Sequence, residues 1–357
     1  MRALVRKQGA SMLAIALGAA LATTNASAAE PLPTAGKPSR VIFDRDSPLA
    51  SSAEIVRRTY SPIAAERVFG FLHDKSQALP DQPIDLSAER FFLYVPAGDP
   101  PADGYGLIVF ISPGIDGSVF PDWRPVLDRH HLIYVCADHS GNESNTVWRR
   151  IPLALDGYEN VAARYHVNPE RVYVSGFSWG SRTAMRMALW YPDVFRAAIL
   201  NSGSDAFGSD DTEIPKSELF REFQERTRIV QVTGTRETDN INDDAVMRDS
   251  AARYCARSVS TQPMRGIGHE QMSGSMLEQA IAAIEQGAAE TTSRADALAS
   301  CRAALTTEIA QGLQQIRTQI AHGDKSQASA ALTRLDRLFG GLAAPDSVEL
   351  WRQLHGK

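Results

Sequence analysis

The stretch Arg171-Val172-Tyr173-Val174-Ser175-Gly176-Phe177-Ser178-Trp179-Gly180 runs from a β-branched and aromatic segment into a Gly-x-Ser-x-Gly. The residues that follow, S-R-T-A-M-R-M-A-L-W-Y at 181–191, form a good helix pattern. A strand that turns sharply into a helix with a serine at the turn tip is a nucleophile elbow. Its two glycines have a physical job: side chains at Gly176 and Gly180 would crowd the neighbouring strand and helix. The turn holds the Ser178 hydroxyl out at the sheet edge, over a helix N-terminus whose amides can bind a developing anion. A plain Gly/Ser turn between two core elements is the bland alternative. It survives only if no acid and histidine follow in order.

Around the elbow the chain alternates regularly. Glu89–Pro96 (E-R-F-F-L-Y-V-P) has a strand pattern, and Gly106–Ser112 (G-L-I-V-F-I-S) is a continuous apolar run, as expected of a strand buried on both faces. His131–Ala137 follows as a strand and Ile151–Tyr165 as a helix. After the elbow and its helix come strands at Phe195–Asn201 and Thr227–Gly234, a helix at Asp243–Ser258, a short strand at Thr261–Gly266 and a helix at Met272–Gln286. Strands alternating with helices predict an α/β fold, a mostly parallel sheet with helices on both faces. Ligands of such sheets sit beyond the carboxyl ends of the strands.

An elbow serine needs a base, and the base needs an orienting carboxylate; in elbows of this kind they follow in the order serine, acid, histidine. Of eight histidines, only His166, His269, His322 and His355 lie near or downstream of the elbow. His166 precedes the serine, and His322 and His355 fall in a later helical region, which leaves His269, in R-G-I-G-H-E directly after the last strand. The acid should follow the strand ending at Gly234. Glu237 has the commoner spacing and Asp239 the commoner residue type; the reading leans slightly to Asp239, with Asp205 a distant third. The oxyanion donors expected are the amide of Trp179 and one from the Ser112–Gly117 loop, either Ile115 or Gly114. Asp138–Asn145, with Arg149 and Arg150 beyond it, leaves a strand at the same edge. It reads equally as pocket lining or as an ordinary Asx/Gly loop.

With these residues in place the chain resembles the α/β-hydrolase superfamily, specifically the secreted esterases near the polyhydroxybutyrate depolymerases and feruloyl esterases. N-P-E-R-V-Y-V-S-G-F-S-W-G (168–180) and Y-P-D-V-F-R-A-A-I (191–199) are similar to segments found there. The resemblance covers about Glu89–Gln286. It implies a serine carboxylic-ester hydrolase, acting on a small or polymeric ester without metal or organic cofactor. The Ser112–Gly117 loop departs from the group in lacking a His-Gly-Gly run. Two other readings stand beside the esterase: a secreted serine peptidase, and a non-catalytic hydrolase-like module that binds a partner.

The ends of the chain set its surroundings. Arg2, Arg6 and Lys7 precede an apolar run at Met12–Ala22, too short to span a bilayer, and Ala26-Ser27-Ala28 is a small-x-small cleavage site. Residues 1–28 therefore read as a secretory signal peptide, predicting a periplasmic or extracellular product. Its removal takes the formal charge from −5 to about −8, a poor match for nucleic acid or anionic membrane surfaces. No second long apolar run follows, so no stable membrane insertion is expected.

The three cysteines, Cys136, Cys255 and Cys301, include no C-x-x-C pair. Cys136 reads as a core thiol. Cys255 and Cys301 can pair in an oxidising compartment, which their spacing leaves open. Residues 29–50 read as a lead-in and 51–287 as the main domain (core 89–287), with one or two helices over Ser51–Asp74 broken near Ser61-Pro62. Residues 296–357 read as a helical appendage: Leu298, Cys301, Leu305, Ile309, Leu313, Ile316 and Ile320 make one stripe, with two further helices behind it. Packing on itself and the main domain is its expected role; docking a protein partner is the alternative.

Overall fold

A computed structural model describes residues 33–209, 211–256, 258–286 and 292–356; the leader read at 1–28 lies outside them. The strands are β1 (Pro38–Val41), β2 (Phe91–Tyr94), β3 (Tyr105–Ile111), β4 (Leu132–Ala137), β5 (Val167–Phe177), β6 (Ala197–Asn201), β7 (Arg228–Val232) and β8 (Val259–Thr261). They form one sheet in the order β1-β2-β4-β3-β5-β6-β7-β8. β2 runs antiparallel to β1 and β4, and every other pairing is parallel. The chain steps from β3 outward to β4, then crosses back to β5 on the other side of β3. That reversal of direction opens a crevice at the carboxyl ends of the strands, and the elbow leaves β5 there.

The apolar runs that announced the strands follow from burial on both faces. Along β3, Leu107, Val109 and Ile111 enter one hydrophobic cluster while Ile108 and Phe110 enter the other. β4 divides in the same way, with Ile133, Val135 and Ala137 on one face and Leu132, Tyr134 and Cys136 on the opposite one. Cys136 is a buried free thiol. Helices α3 (Arg124–Arg129) and α8 (Gly274–Gln286) cover the second face. The first is covered by α4 (Ile151–Arg164), α5 (Trp179–Trp190), α6 (Ser217–Arg226) and α7 (Thr238–Arg253).

Several boundaries differ from the sequence reading. β1 lies inside the stretch read as a lead-in. With one aliphatic residue it has no apolar run, and it is held at the sheet edge by backbone pairing to β2. β8 is Val259–Thr261 rather than Thr261–Gly266: its continuous pairing with β7 runs from Val259 to Thr261, and beyond that only an isolated bridge joins Met264 to Gly234. α7 begins at Thr238, five residues before the reading, since Thr238–Asn242 is polar apart from a single exposed Ile241 and carries no apolar stripe to mark it.

N-terminal to the core, α1 (Ser52–Thr59) and α2 (Pro62–Asp74) break where expected. Ser61 caps α2 by accepting from the Ala64 N–H, and Pro62 sits at its first position, where a missing N–H costs nothing. The C-terminal region is α9 (Thr292–Ala321), α10 (Lys325–Phe339) and α11 (Asp346–His355). The predicted stripe packs inward: Leu305, Ile309, Leu313 and Ile316 join the cluster that holds Phe220 and Tyr254. Cys255 and Cys301 form a disulfide across 46 residues of sequence. Nearby, Arg302 Nε donates to Gln224 Oε1 at 2.6 Å and Tyr254 Oη to the Leu338 carbonyl at 2.6 Å. The described residues from Pro33 onward thus form one compact unit. No helix of the described residues is long and apolar enough to cross a membrane.

Candidate active site

Ser178 stands between β5 and α5 with φ 57° and ψ −122°, a backbone conformation that ordinarily costs on the order of 1–3 kcal/mol. It persists because the turn is packed from both sides. A Cβ at Gly176 would lie 2.3 Å from the Gly180 carbonyl carbon, and one at Gly180 would lie 2.0 Å from the Ile111 oxygen. Only glycine lets strand and helix cross this closely. Trp179 opens α5, where first-turn amides have no acceptor inside the helix.

His269 is lowered onto the serine by a loop with three anchors. Arg236 N–H donates to the Ile267 carbonyl at 3.0 Å. The Gly234 Cα lies close under the Gly268 carbonyl, a Cβ there falling 2.3 Å from that oxygen. The buried Asn201 side chain accepts from Met272 N–H at 2.7 Å and donates to the Glu270 carbonyl at 3.3 Å. Phe177 packs beside the imidazole, ring centroids 4.8 Å apart. The result is a hydrogen bond between His269 Nε2 and Ser178 Oγ at 2.9 Å.

On the far side of the ring, His269 Nδ1 meets Glu237 Oε2 at 2.6 Å. Of the two acids left open, Glu237 therefore sits against the histidine. Asp239, the one favoured from sequence, does not: it lies exposed in the first turn of α7, two residues past the end that faces the site. Asp205 is engaged elsewhere, bridging Arg182 (2.5 Å) and Arg186 (2.9 Å).

Glu237 is 8% exposed and accepts from four donors. Besides the histidine these are Ser202 Oγ at 2.6 Å, Asn240 Nδ2 at 2.6 Å and Gly234 N–H at 3.1 Å. Burial pushes its carboxyl up, but the bonds from Ser202, His269, Asn240 and Gly234 together outweigh it and hold the group below the usual carboxylate range. With Glu237 ionised, Nδ1 is the protonated nitrogen and Nε2 is free to accept from the Ser178 hydroxyl. Ser202 and Asn240 were missed in the sequence. Ser202 has a φ of +56°, which turns its hydroxyl toward Glu237, and nothing in N-S-G-S announces it.

The loop at residues 112–117 is fixed by its neighbour at 138–145, which the sequence left between pocket lining and plain loop. His139 N–H donates to the Ile115 carbonyl at 2.6 Å, Asn142 N–H to the Pro113 carbonyl at 3.0 Å, and Gly117 N–H to Asp138 Oδ1 at 2.6 Å. Arg40, on β1, holds Asp138 from the other side in an ion pair. Of the two candidate donors, Gly114 N–H is occupied by Ser112 Oγ at 3.0 Å. The Ile115 amide has no acceptor among the described residues. Ile115 and Trp179 are exposed, at 62% and 53%, and Ser178 is half-buried. Among the described residues no group of three or more His, Cys, Asp and Glu side chains converges as metal ligands would.

A family model described as alpha/beta hydrolase fold matches residues 106–239, from β3 through the elbow to the acid loop. No curated protein sequence matches the chain. Among solved structures it is similar to a thermostable esterase, at 16% identity over 56% of this chain and 58% of that one, TM-score 0.43. The match therefore spans less than two thirds of that protein's length. It is also similar to a ferulic acid esterase (12% identity, 56% of this chain and 92% of that chain, TM-score 0.42) and to an acylaminoacyl peptidase (14%, 59% and 42%, TM-score 0.40). By sheet order, elbow and family model together, this chain has the α/β-hydrolase fold.

Proposed function

We propose that the protein is a serine hydrolase that cleaves carboxylic esters through an acyl-enzyme. The observation that carries this reading is the unbroken line Ser178 Oγ, His269 Nε2, His269 Nδ1, Glu237 Oε2, with links of 2.9 and 2.6 Å. His269 takes the hydroxyl proton as the Ser178 oxygen attacks the ester carbonyl. Glu237 holds the ring in the tautomer that can accept and stabilises the imidazolium that forms. The oxyanion rests on the Trp179 and Ile115 amides, neither of which has an acceptor of its own among the described residues. His269 then protonates the departing alcohol, and water, deprotonated by the same imidazole, hydrolyses the acyl group from Ser178. Losing one such oxyanion donor costs on the order of 3 kcal/mol of transition-state stabilisation.

The chain enters this reaction as an exported protein, periplasmic or extracellular, by the leader read at 1–28. Its substrate is a small or polymeric ester that reaches Ser178. Hydrolysis of p-nitrophenyl esters of rising acyl length, beside peptide p-nitroanilides, tests the reading. Turnover of esters that Ser178→Ala abolishes supports it. Turnover of anilides with none of esters would make the protein a peptidase, and neither activity in folded protein would make it a binding module.

A further inference from the structure

Arg150 is 2% exposed and has no carboxylate within ion-pair distance among the described residues. All its hydrogen bonds go to backbone carbonyls, and each carbonyl belongs to a different segment of the site. Nε donates to Ser140 at 2.8 Å, in the 138–145 loop. Nη2 donates to Ser112 at 3.0 Å, at the root of the loop carrying Ile115, and Nη1 to Trp179 at 3.4 Å, on the elbow itself. Among the described residues no other side chain donates to both the 112–117 loop and the elbow.

The sequence builds this placement locally. Thr146–Arg150 is a five-residue π-helix running into α4, with Asn145 capping it by accepting from Trp148 N–H at 2.8 Å. The wide turn is visible in Arg150 N–H reaching back five residues to the Asn145 carbonyl at 3.0 Å. It sends two consecutive arginines to two consecutive carbonyls of one loop: Arg149 Nε to His139 at 2.8 Å, then Arg150 Nε to Ser140. Arg149 goes on to pair Glu89 with both terminal nitrogens at 2.8 Å, whereas Arg150 turns inward unpaired. Burial, with Arg186 nearby, lowers the Arg150 guanidinium to about 10, so it remains charged at neutral pH. A buried cation with no counter-ion is costly to keep, and packing alone would be served as well by an apolar side chain.

We infer that Arg150 is a positioning residue: its planar fork sets the spacing between the two oxyanion amides, Ile115 N–H on one segment and Trp179 N–H on the other. This rests on the esterase reading of the site, where the two amides must bind one oxygen from separate segments that no covalent bond joins. Oxyanion stabilisation depends on such donors being held to within about 0.5 Å. A lysine retains the charge but not the rigid three-way geometry.

The test compares wild type with Arg150→Lys and Arg150→Met, each checked for folding by circular dichroism and thermal denaturation. On p-nitrophenyl butyrate, kcat should fall roughly 100-fold in both variants, with KM within about 3-fold. A trifluoromethyl ketone, whose adduct carries the oxyanion, should weaken in proportion to kcat/KM. Amide hydrogen exchange across residues 112–117 and 178–181 should speed up in Arg150→Lys. Wild-type kcat in either folded variant would overturn the inference, as would loss of kcat with unchanged exchange in both segments. Should wild type turn over no ester, the esterase reading fails, and the exchange comparison still decides whether Arg150 spaces the two segments. If Arg150→Met does not fold, Arg150→Lys carries the comparison.

Discussion

Replacing Glu237 by glutamine removes one charge and changes one atom. Its present partners, Ser202, Gly234 N–H, Asn240 and His269, are all donors, and a carboxylate accepts from all four. In the amide, the oxygen can keep Ser202 and Gly234, both now on Oε1. The nitrogen then faces Asn240 Nδ2 and His269 Nδ1, two donors against a donor. The imidazole escapes that clash by moving its proton to Nε2, where it points at Ser178 and can no longer accept. The fold keeps half the network; the base loses its working tautomer. A drop in kcat of about 1,000-fold or more is expected, about 4 kcal/mol of transition-state stabilisation, with KM little changed. Asp239→Asn, on the exposed first turn of α7, should stay within about 2-fold of wild type. The assay is steady-state ester hydrolysis with parallel thermal denaturation. A Glu237→Gln variant with wild-type kcat, or an Asp239→Asn variant reduced by orders of magnitude, would refute the assignment of Glu237.

Two further expectations concern stability. Removing the Cys255–Cys301 bond, which closes a loop of 46 residues, by the double serine variant should lower unfolding free energy by about 2–4 kcal/mol in urea titrations. Its kcat should be unaltered, because the bond ties α9 to the end of α7 rather than to the site. The Asp156 carboxyl, buried and close to Asp46 and Glu159, is pushed up from 3.8 to about 7 despite the Ser47 N–H it accepts. Native protein then holds this proton more tightly than unfolded chain, so the group's contribution falls as pH climbs from about 4 to about 7 and levels off above. Asp156→Asn should therefore gain on wild type between pH 5 and pH 8, by at most about 3 kcal/mol. A difference in urea stability that is flat with pH would contradict it.

How much of this was legible in the sequence depends on whether a position is set by local chemistry or by distant packing. β3 and β4 were readable because burial on both faces demands an unbroken apolar run. The elbow was readable because only glycine tolerates a contact such as the 2.0 Å between a Cβ at Gly180 and the Ile111 oxygen. His269 followed from chain order. The acid did not, since T-R-E-T-D-N offers two carboxylates two residues apart. What separates them is that Glu237 still precedes α7 and is drawn inward by Ser202 and Gly234, while Asp239 is already on the outer face of the helix. β1 was hidden for a related reason: it is made by pairing with β2, and its own residues say little. Arg150 read equally as pocket lining or as a residue beyond an ordinary loop. Only the π-turn, invisible in N-T-V-W-R-R, turns it into the interior.

The most direct test is covalent. Folded protein is incubated with a fluorophosphonate, and the modified residue is located by peptide mass spectrometry. Stoichiometric labelling at Ser178, slowed about 1,000-fold in Glu237→Gln and absent in Ser178→Ala, is the expected result. Folded wild-type protein that takes no label, or takes it at a residue other than Ser178, would contradict the reading of this site as a serine hydrolase centre.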